Sequence, residues 1–219
     1  MNNDIPFNQE KYLNEMLEIR HGLKNHKIPY RYPDAVSKLI ISRTLIELKH
    51  LEITRDTLIQ LTGYSLVSKS WLEPLADWIG NRKCLEIMAG NGILSYGLRN
   101  YGVDIVATDD GSWEQFDIKE LQWCDIEKLD CCDAIKKYKD RDIVLCSWAP
   151  LDSALFKALQ TMRSVNPDMI MIYIGEPNGC TADYQFENTA EYLFDSTILE
   201  INKLYQSWGG LHDKIYLVK

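Results

Sequence analysis

The sequence predicts an α/β fold: a mostly parallel sheet with helices on both faces, an antiparallel edge strand and an N-terminal helical extension. Three observations predict it. Residues 1–80 carry apolar side chains at helical spacing. After Gly80, short apolar runs alternate with amphipathic stretches, the pattern of βαβ units around a sheet covered on both faces. The 219 residues are 46% hydrophobic and 11% aromatic, which suits one globular domain with an added helical segment and excludes disordered and collagen-like chains. The expected division is 1–80 for the extension and 81–219 for the sheet domain.

The extension begins with a helix carrying Tyr12, Leu13, Met16, Leu17 and Ile19. A Pro- and Tyr-rich turn follows over 27–33. Asp34 is placed to cap a second helix carrying Val36, Leu39, Ile40, Leu45 and Ile46. Thr54 starts a short helix that ends at Gly63. Ser70 and Glu73 have capping-box spacing, with Pro74 in the first turn of the helix they open and Gly80 closing it. Beyond Gly80 the expected strands are 83–88, 104–108, 142–147, 169–175, 197–203 and 214–218. The expected helices are 93–101, 153–164 and 181–194. The last two strands read as an antiparallel pair at a sheet edge.

Charge narrows the partners. Residues 1–80 hold ten Lys/Arg and ten Asp/Glu, so the net charge of −8 lies entirely in 81–219, with 14 basic and 22 acidic side chains. Phosphate contacts need clustered Lys/Arg, so nucleic acid is not favoured, though local basic patches leave it open. No apolar run reaches the ~18–20 residues that span a bilayer. The start, MNNDIPFNQEKYLNE, has neither basic n-region nor apolar h-region, so a cytoplasmic setting without a secretory signal is expected. Six cysteines without a CxxC pair then read as reduced thiols, and the four scattered histidines suggest no metal site.

The first strand-to-helix turn reads Cys84-Leu85-Glu86-Ile87-Met88-Ala89-Gly90-Asn91-Gly92-Ile93-Leu94. Glycine accepts a left-handed backbone and lets a ligand approach, and a helix N-terminus offers free N–H groups. A dinucleotide fingerprint would need glycine where Ser95 stands, and the Gly-Lys-Ser/Thr ending of a P-loop is absent. Glu86 would repel a pyrophosphate but accepts hydrogen bonds from a cationic amino group. A ligand with an amino-acid tail fits.

On these residues the chain resembles the class I S-adenosylmethionine (SAM)-dependent methyltransferases, whose first motif is E/D-x-G-x-G-x-G. Glu86, Gly90 and Gly92 match it, and Met88 replaces its first glycine. Asp109 ends the next strand seventeen residues after Gly92, where the family holds both ribose hydroxyls; the two oxygens of a carboxylate suit two neighbouring donors. The resemblance implies a Rossmann-like methyltransferase sheet over 81–219 and SAM as cofactor. It assigns cofactor contacts to Glu86, Met88, Gly90, Asn91, Gly92, Asp109 and Asp110. It further implies Asp130 and Cys131 beside the adenine, with Asp133 and Asp125 as competitors. It places Ser147, from Ser147-Trp148-Ala149-Pro150, in the family's fourth motif. Trp148 and Ala149 depart from the Pro-Pro pattern of amino-group methyltransferases, which leaves the acceptor atom open.

Two loops carry no motif name: Gly175-Glu176-Pro177-Asn178-Gly179-Cys180 and Ser207-Trp208-Gly209-Gly210-Leu211-His212-Asp213. The first follows a strand on the edge where open α/β sheets bind ligands. Trp148 and Glu176 are the candidate catalytic residues, His212 a candidate pocket residue, and Tyr64-Ser65-Leu66-Val67-Ser68 a candidate cofactor mouth. Trp113, Trp148 and Trp208 suit a small apolar or aromatic acceptor. The expected function is methyl transfer from SAM to a small molecule. Two alternatives are a catalytically inactive SAM-binding sensor or interaction module, and an NAD-dependent oxidoreductase, disfavoured by Ser95 and Glu86. Oligomeric state is left open.

Overall fold

A computed structural model describes residues 8–38, 53–112 and 122–219. The expected positions Leu39, Ile40, Leu45, Ile46 and Trp113 lie outside the described residues. Seven strands form one sheet: β1 (Cys84–Glu86), β2 (Ile105–Asp109), β3 (Glu127–Lys128), β4 (Ile143–Ser147), β5 (Ile170–Gly175), β6 (Tyr192–Leu193) and β7 (Lys214–Val218), in the order β3-β2-β1-β4-β5-β7-β6. The β1–β5 ladders are parallel, and β7 pairs antiparallel with both β5 and β6.

Alternation along the strands makes two cores. Cys84, Ile143, Leu145, Ile172, Ile174, Ile215 and Leu217 face one side, and Leu85, Val144, Cys146, Met171 and Tyr173 face the other. The first face is covered by α3 (Lys69–Ile79), α4 (Ile93–Arg99) and α8 (Ser196–Leu204), through Trp71, Leu72, Leu75, Leu98, Ile198 and Ile201. The second is covered by α5 (Cys131–Lys137), α6 (Ala154–Val165) and α7 (Tyr184–Thr189), through Ile135, Leu159, Met162 and Phe186. Tyr12, Met16 and Leu23 of α1 (Gln9–Lys24) and Leu58 of α2 (Arg55–Thr62) belong to the first core. The N-terminal segment therefore completes a layer over the sheet instead of building a core of its own. Gln206, 4% exposed, ties it down by accepting from the Tyr32 amide and donating to the Tyr32 carbonyl, both at 3.0 Å.

Four expected elements differ. Residues 197–203, expected as a strand, form helix α8. The Asp195 carboxylate caps it by accepting from the Thr197 and Ile198 amides at 2.8 and 3.0 Å, and Ile198, Ile201 and Tyr205 recur at helical spacing on the buried side. The edge partner of β7 is instead β6, because the helix expected over 181–194 stops at Thr189. Asp34 does not cap an α-helix; it opens a 3₁₀ turn, Asp34–Ser37, and pairs with Arg31 at 3.0 Å. The capping box at Ser70 and Glu73 does not form: α3 starts two residues earlier from Ser68, and the two serine hydroxyls meet at 3.0 Å. Pro74 thus lies beyond the first turn. Thr54 and Gly63 bound α2 as expected, the threonine accepting from the Thr57 amide.

Candidate functional site

The turn after β1 is left-handed at alternate positions: Met88 (φ 53°), Gly90 (φ 57°) and Gly92 (φ 77°). Met88 therefore takes a backbone shape that favours glycine, at the steric cost a Cβ incurs there. Gly92 also has no room for a side chain, since a Cβ would stand 2.7 Å from Cys124 Sγ. Over Gly90 a Cβ would meet nothing within 4 Å, so the loop faces open space there.

Glu86 closes β1 with 2% exposure. Its Oε2 accepts from the Ser95 amide at 3.0 Å and from the Ser95 hydroxyl, fastening the strand to the first turn of α4. Burial pushes the Glu86 carboxyl up to about 7, against the opposing pull of these hydrogen bonds. Ser95 is thus a site residue that sequence reasoning used only to exclude a dinucleotide site. Asp109, at the end of β2, accepts from Gly90 N through Oδ2 and from Gly111 N through Oδ1, both at 2.8 Å, and so joins the glycine turn to the β2 loop. Asp110 turns away and accepts from Ser112 N at 2.8 Å, and hydrogen bonding to Ser112 holds its carboxyl below the ordinary range.

Asn91 is committed to the scaffold. Its amide donates to the Leu61 carbonyl at 3.0 Å, which also receives Trp123 Nε1 at 2.7 Å, while its Oδ1 accepts from Ile93 N. Asp130 caps α5, accepting from the Cys132 and Asp133 amides at 2.8 and 3.4 Å. Cys131 is buried beside it, and burial pushes its thiol up to about 12. Asp133 faces outward and pairs with Lys136 at 3.1 Å.

The loops after β4 and β5, and the one before β7, converge. Trp148 is left-handed (φ 57°), as are Asn178 and Ala182. With Met88, four of the five non-glycine residues of positive φ among the described residues lie in loops at the carboxyl ends of β1, β4 and β5. Such strain persists where surrounding structure over-determines it, and it clusters at ligand sites. Trp148 stacks on Tyr64 at 5.4 Å between centroids, and its Nε1 donates to Asp213 Oδ2 at 2.9 Å. Tyr205 OH donates to the same oxygen at 2.6 Å. The hydroxyls of Ser147 and Ser65 meet at 2.7 Å, so the expected mouth segment does lie against the end of β4. Sequence reasoning missed Arg55, Tyr205 and the carboxylate role of Asp213, which no local spacing marks.

Glu176 is folded into its own loop and accepts from Cys180 N at 3.3 Å and from the His212 amide at 2.9 Å. Burial raises its carboxyl, but hydrogen bonds from Cys180 and His212 outweigh that and leave it below the ordinary range. A carboxylate so held is a weak proton acceptor. The two unnamed loops thereby border one cleft of ≈ 570 Å³, lined by Glu176, Asn178, Ser207, His212 and Lys214.

Six strands run one way, β7 alone is reversed, and the glycine turn follows the central β1. The sheet is thus mostly parallel and Rossmann-like, covered by helices on both faces. No protein-family model and no curated protein matches the chain. Solved structures do match. A SAM-dependent methyltransferase from Archaeoglobus fulgidus is 16% identical with TM-score 0.45, covering 82% of this chain and 100% of its own. Magnesium protoporphyrin IX methyltransferase (ChlM) from Synechocystis PCC 6803 with bound SAM is 12% identical with TM-score 0.40, covering 99% and 100%. A ribosomal protein L11 methylase from Lactobacillus delbrueckii subsp. bulgaricus is 15% identical with TM-score 0.38, covering 72% and 81%.

Proposed function

We propose that this chain binds SAM and transfers its methyl group to a small-molecule acceptor. The observation that carries the reading is the turn 88–92, left-handed at alternate positions, fastened by Asp109 and open to solvent space over Gly90. The residues fit the cofactor. Asp109 keeps acceptor capacity beyond its two amide bonds, enough for ribose hydroxyls. Glu86 places both Ser95 bonds on one oxygen, which leaves the other for an ammonium group. Cys131 offers a small apolar surface for the adenine, whereas Asp130 serves the ring only through what its helix cap leaves over. When bound, SAM supplies an electrophilic methyl carbon on a sulfonium. The chain then orients the acceptor and excludes water, and Trp148 and Ser147 border the space for it. A buried partner for the ammonium group gives Glu86 a reason to ionise on binding.

Calorimetric titration tests this. SAM binds, NAD(H) does not, and Gly90→Val and Asp109→Ala each weaken SAM at least tenfold. Failure of SAM at millimolar concentration alongside binding of NAD(H) would reject the reading, and unchanged affinity in both variants would reject the site. Binding followed by no transfer across an acceptor screen would favour the sensor. All six cysteines are free thiols, and no helix among the described residues is long and apolar enough to cross a membrane.

A further inference from the structure

Two buried polar atoms near Trp148 lack any hydrogen-bond partner. One is Oδ1 of Asp213, a residue 2% exposed, and the other is Nε of Arg55. Burying an acceptor or donor unsatisfied is costly, more so when it is charged, so native structures rarely leave one without a use. The two atoms are complementary: the first can only accept and the second can only donate.

They also share a neighbourhood. The Arg55 guanidinium lies 5.8 Å from the Trp148 ring centre and 5.9 Å from that of Tyr64. Asp213 holds the indole nitrogen of that same Trp148. The exposed Cys180 thiol is raised chiefly by its hydrogen bond to Glu176 and by burial, and it feels both Asp213, which raises it further, and Arg55, which lowers it. Both residues border one flat surface, the Trp148 indole, held in a strained left-handed backbone and stacked on the Tyr64 ring at an interplanar angle of 15°. Tyr64 therefore sits where a planar ring would rest, and a phenol is itself such a ring.

We propose that this is the acceptor subsite, and that it takes a flat aromatic ring bearing an O–H or N–H donor for Asp213 Oδ1 and an anionic group for Arg55 Nε. The ring displaces Tyr64 from the Trp148 indole, which brings its donor edge to Asp213. The inference rests on the methyltransferase reading for its place beside the cofactor, and its test is separable from that reading.

The probe is 4-hydroxybenzoate, titrated by calorimetry into the full chain with and without S-adenosylhomocysteine. It binds, and 4-methoxybenzoate, which lacks the donor, binds at least tenfold more weakly. The corresponding amide, 4-hydroxybenzamide, binds several-fold more weakly than the acid, and Arg55→Met abolishes that preference. Tyr64→Ala strengthens 4-hydroxybenzoate several-fold by removing the competing ring, and keeps the test usable if Arg55→Met fails to fold. Equal affinity of the hydroxy and methoxy probes overturns the proposal, as does absence of binding to both wild type and Tyr64→Ala. If S-adenosylhomocysteine fails to bind while the probe behaves as stated, the subsite stands and the cofactor reading falls.

Discussion

Met88 offers a test whose outcome depends on backbone geometry alone. Its φ of 53° puts an L-residue in the left-handed region, where the Cβ costs roughly 1–2 kcal/mol. Comparing Met88→Gly with Met88→Ala isolates that cost, because both variants lose the same partly buried side chain beyond Cβ. Glycine relieves the strain and alanine keeps it. Against this, glycine gives the unfolded chain more freedom, worth about 0.4–1 kcal/mol in favour of alanine. The difference leaves Met88→Gly more stable than Met88→Ala by about 1 kcal/mol. At a position of ordinary negative φ the order is reversed, so the sign is the measurement. In urea, with a slope of roughly 2–3 kcal/mol/M, the glycine variant's midpoint lies ~0.3–0.5 M above that of alanine. In a thermal melt it lies about 2–4 °C higher. A Met88→Ala midpoint equal to or above that of Met88→Gly would refute the left-handed turn, and with it the equivalence of Met88 to the first glycine of the motif.

The remaining predictions concern the same turn. Glu86, raised to about 7 from 4.5, binds protons more tightly folded than unfolded, so its contribution to stability is complete below pH 4.5 and is lost as pH rises through 7. The loss is on the order of 3 kcal/mol. Glu86→Gln, which still accepts from Ser95, flattens the melting profile across that window, and parallel profiles for the two proteins would show that the carboxyl does not titrate there. Gly92→Ala meets both a φ of 77° and a Cβ contact of 2.7 Å with Cys124 Sγ. It destabilises by about 2–4 kcal/mol in denaturant. In a double-mutant cycle Cys124→Ala recovers the part due to Sγ and leaves the ~1–2 kcal/mol of backbone strain and the closer fit against Ile126 Cδ1, 3.1 Å from the new Cβ; strict additivity would contradict the Cys124 contact.

What the sequence revealed depended on how strongly tertiary packing competed with local preference. The central strands were legible because Val144, Met171, Ile172 and their neighbours form apolar runs that only a twice-covered sheet requires. Residues 197–203 misled because Thr197, Ile198 and Ile201 are β-branched and favour strands on average. The stronger signals were Asp195 as a cap and the 198, 201, 205 spacing, and the first core selected them. At α3, Ser70-x-x-Glu73 has the residues of a capping box, but Ser68 two positions earlier already starts the helix, and Ser70 is buried against it.

The same reasoning separates the two halves of the site. Glu86, Met88, Gly90, Gly92 and Ser95 lie within ten residues, so their relation is set by one strand, one turn and one helical turn, and spacing alone reveals it. Even there the role of Ser95 was hidden, because a hydroxyl in place of a third glycine reads as a missing feature until the Glu86 carboxylate is seen to end on it. Arg55, Tyr64, Trp148, Tyr205 and Asp213 are scattered along most of the chain and have no mutual spacing. They meet only because β4 lies beside β5, β5 beside the reversed β7, and the end of α2 and the connection after it run along the carboxyl edge, bonded to Asn91 through Leu61 and to Ser147 through Ser65. A candidate site built on one turn can thus be read from a line of residues. The proposed acceptor site, assembled from three loops and an added helical layer, is a property of the sheet order, and its signal is the polar atoms that the fold buries without partners.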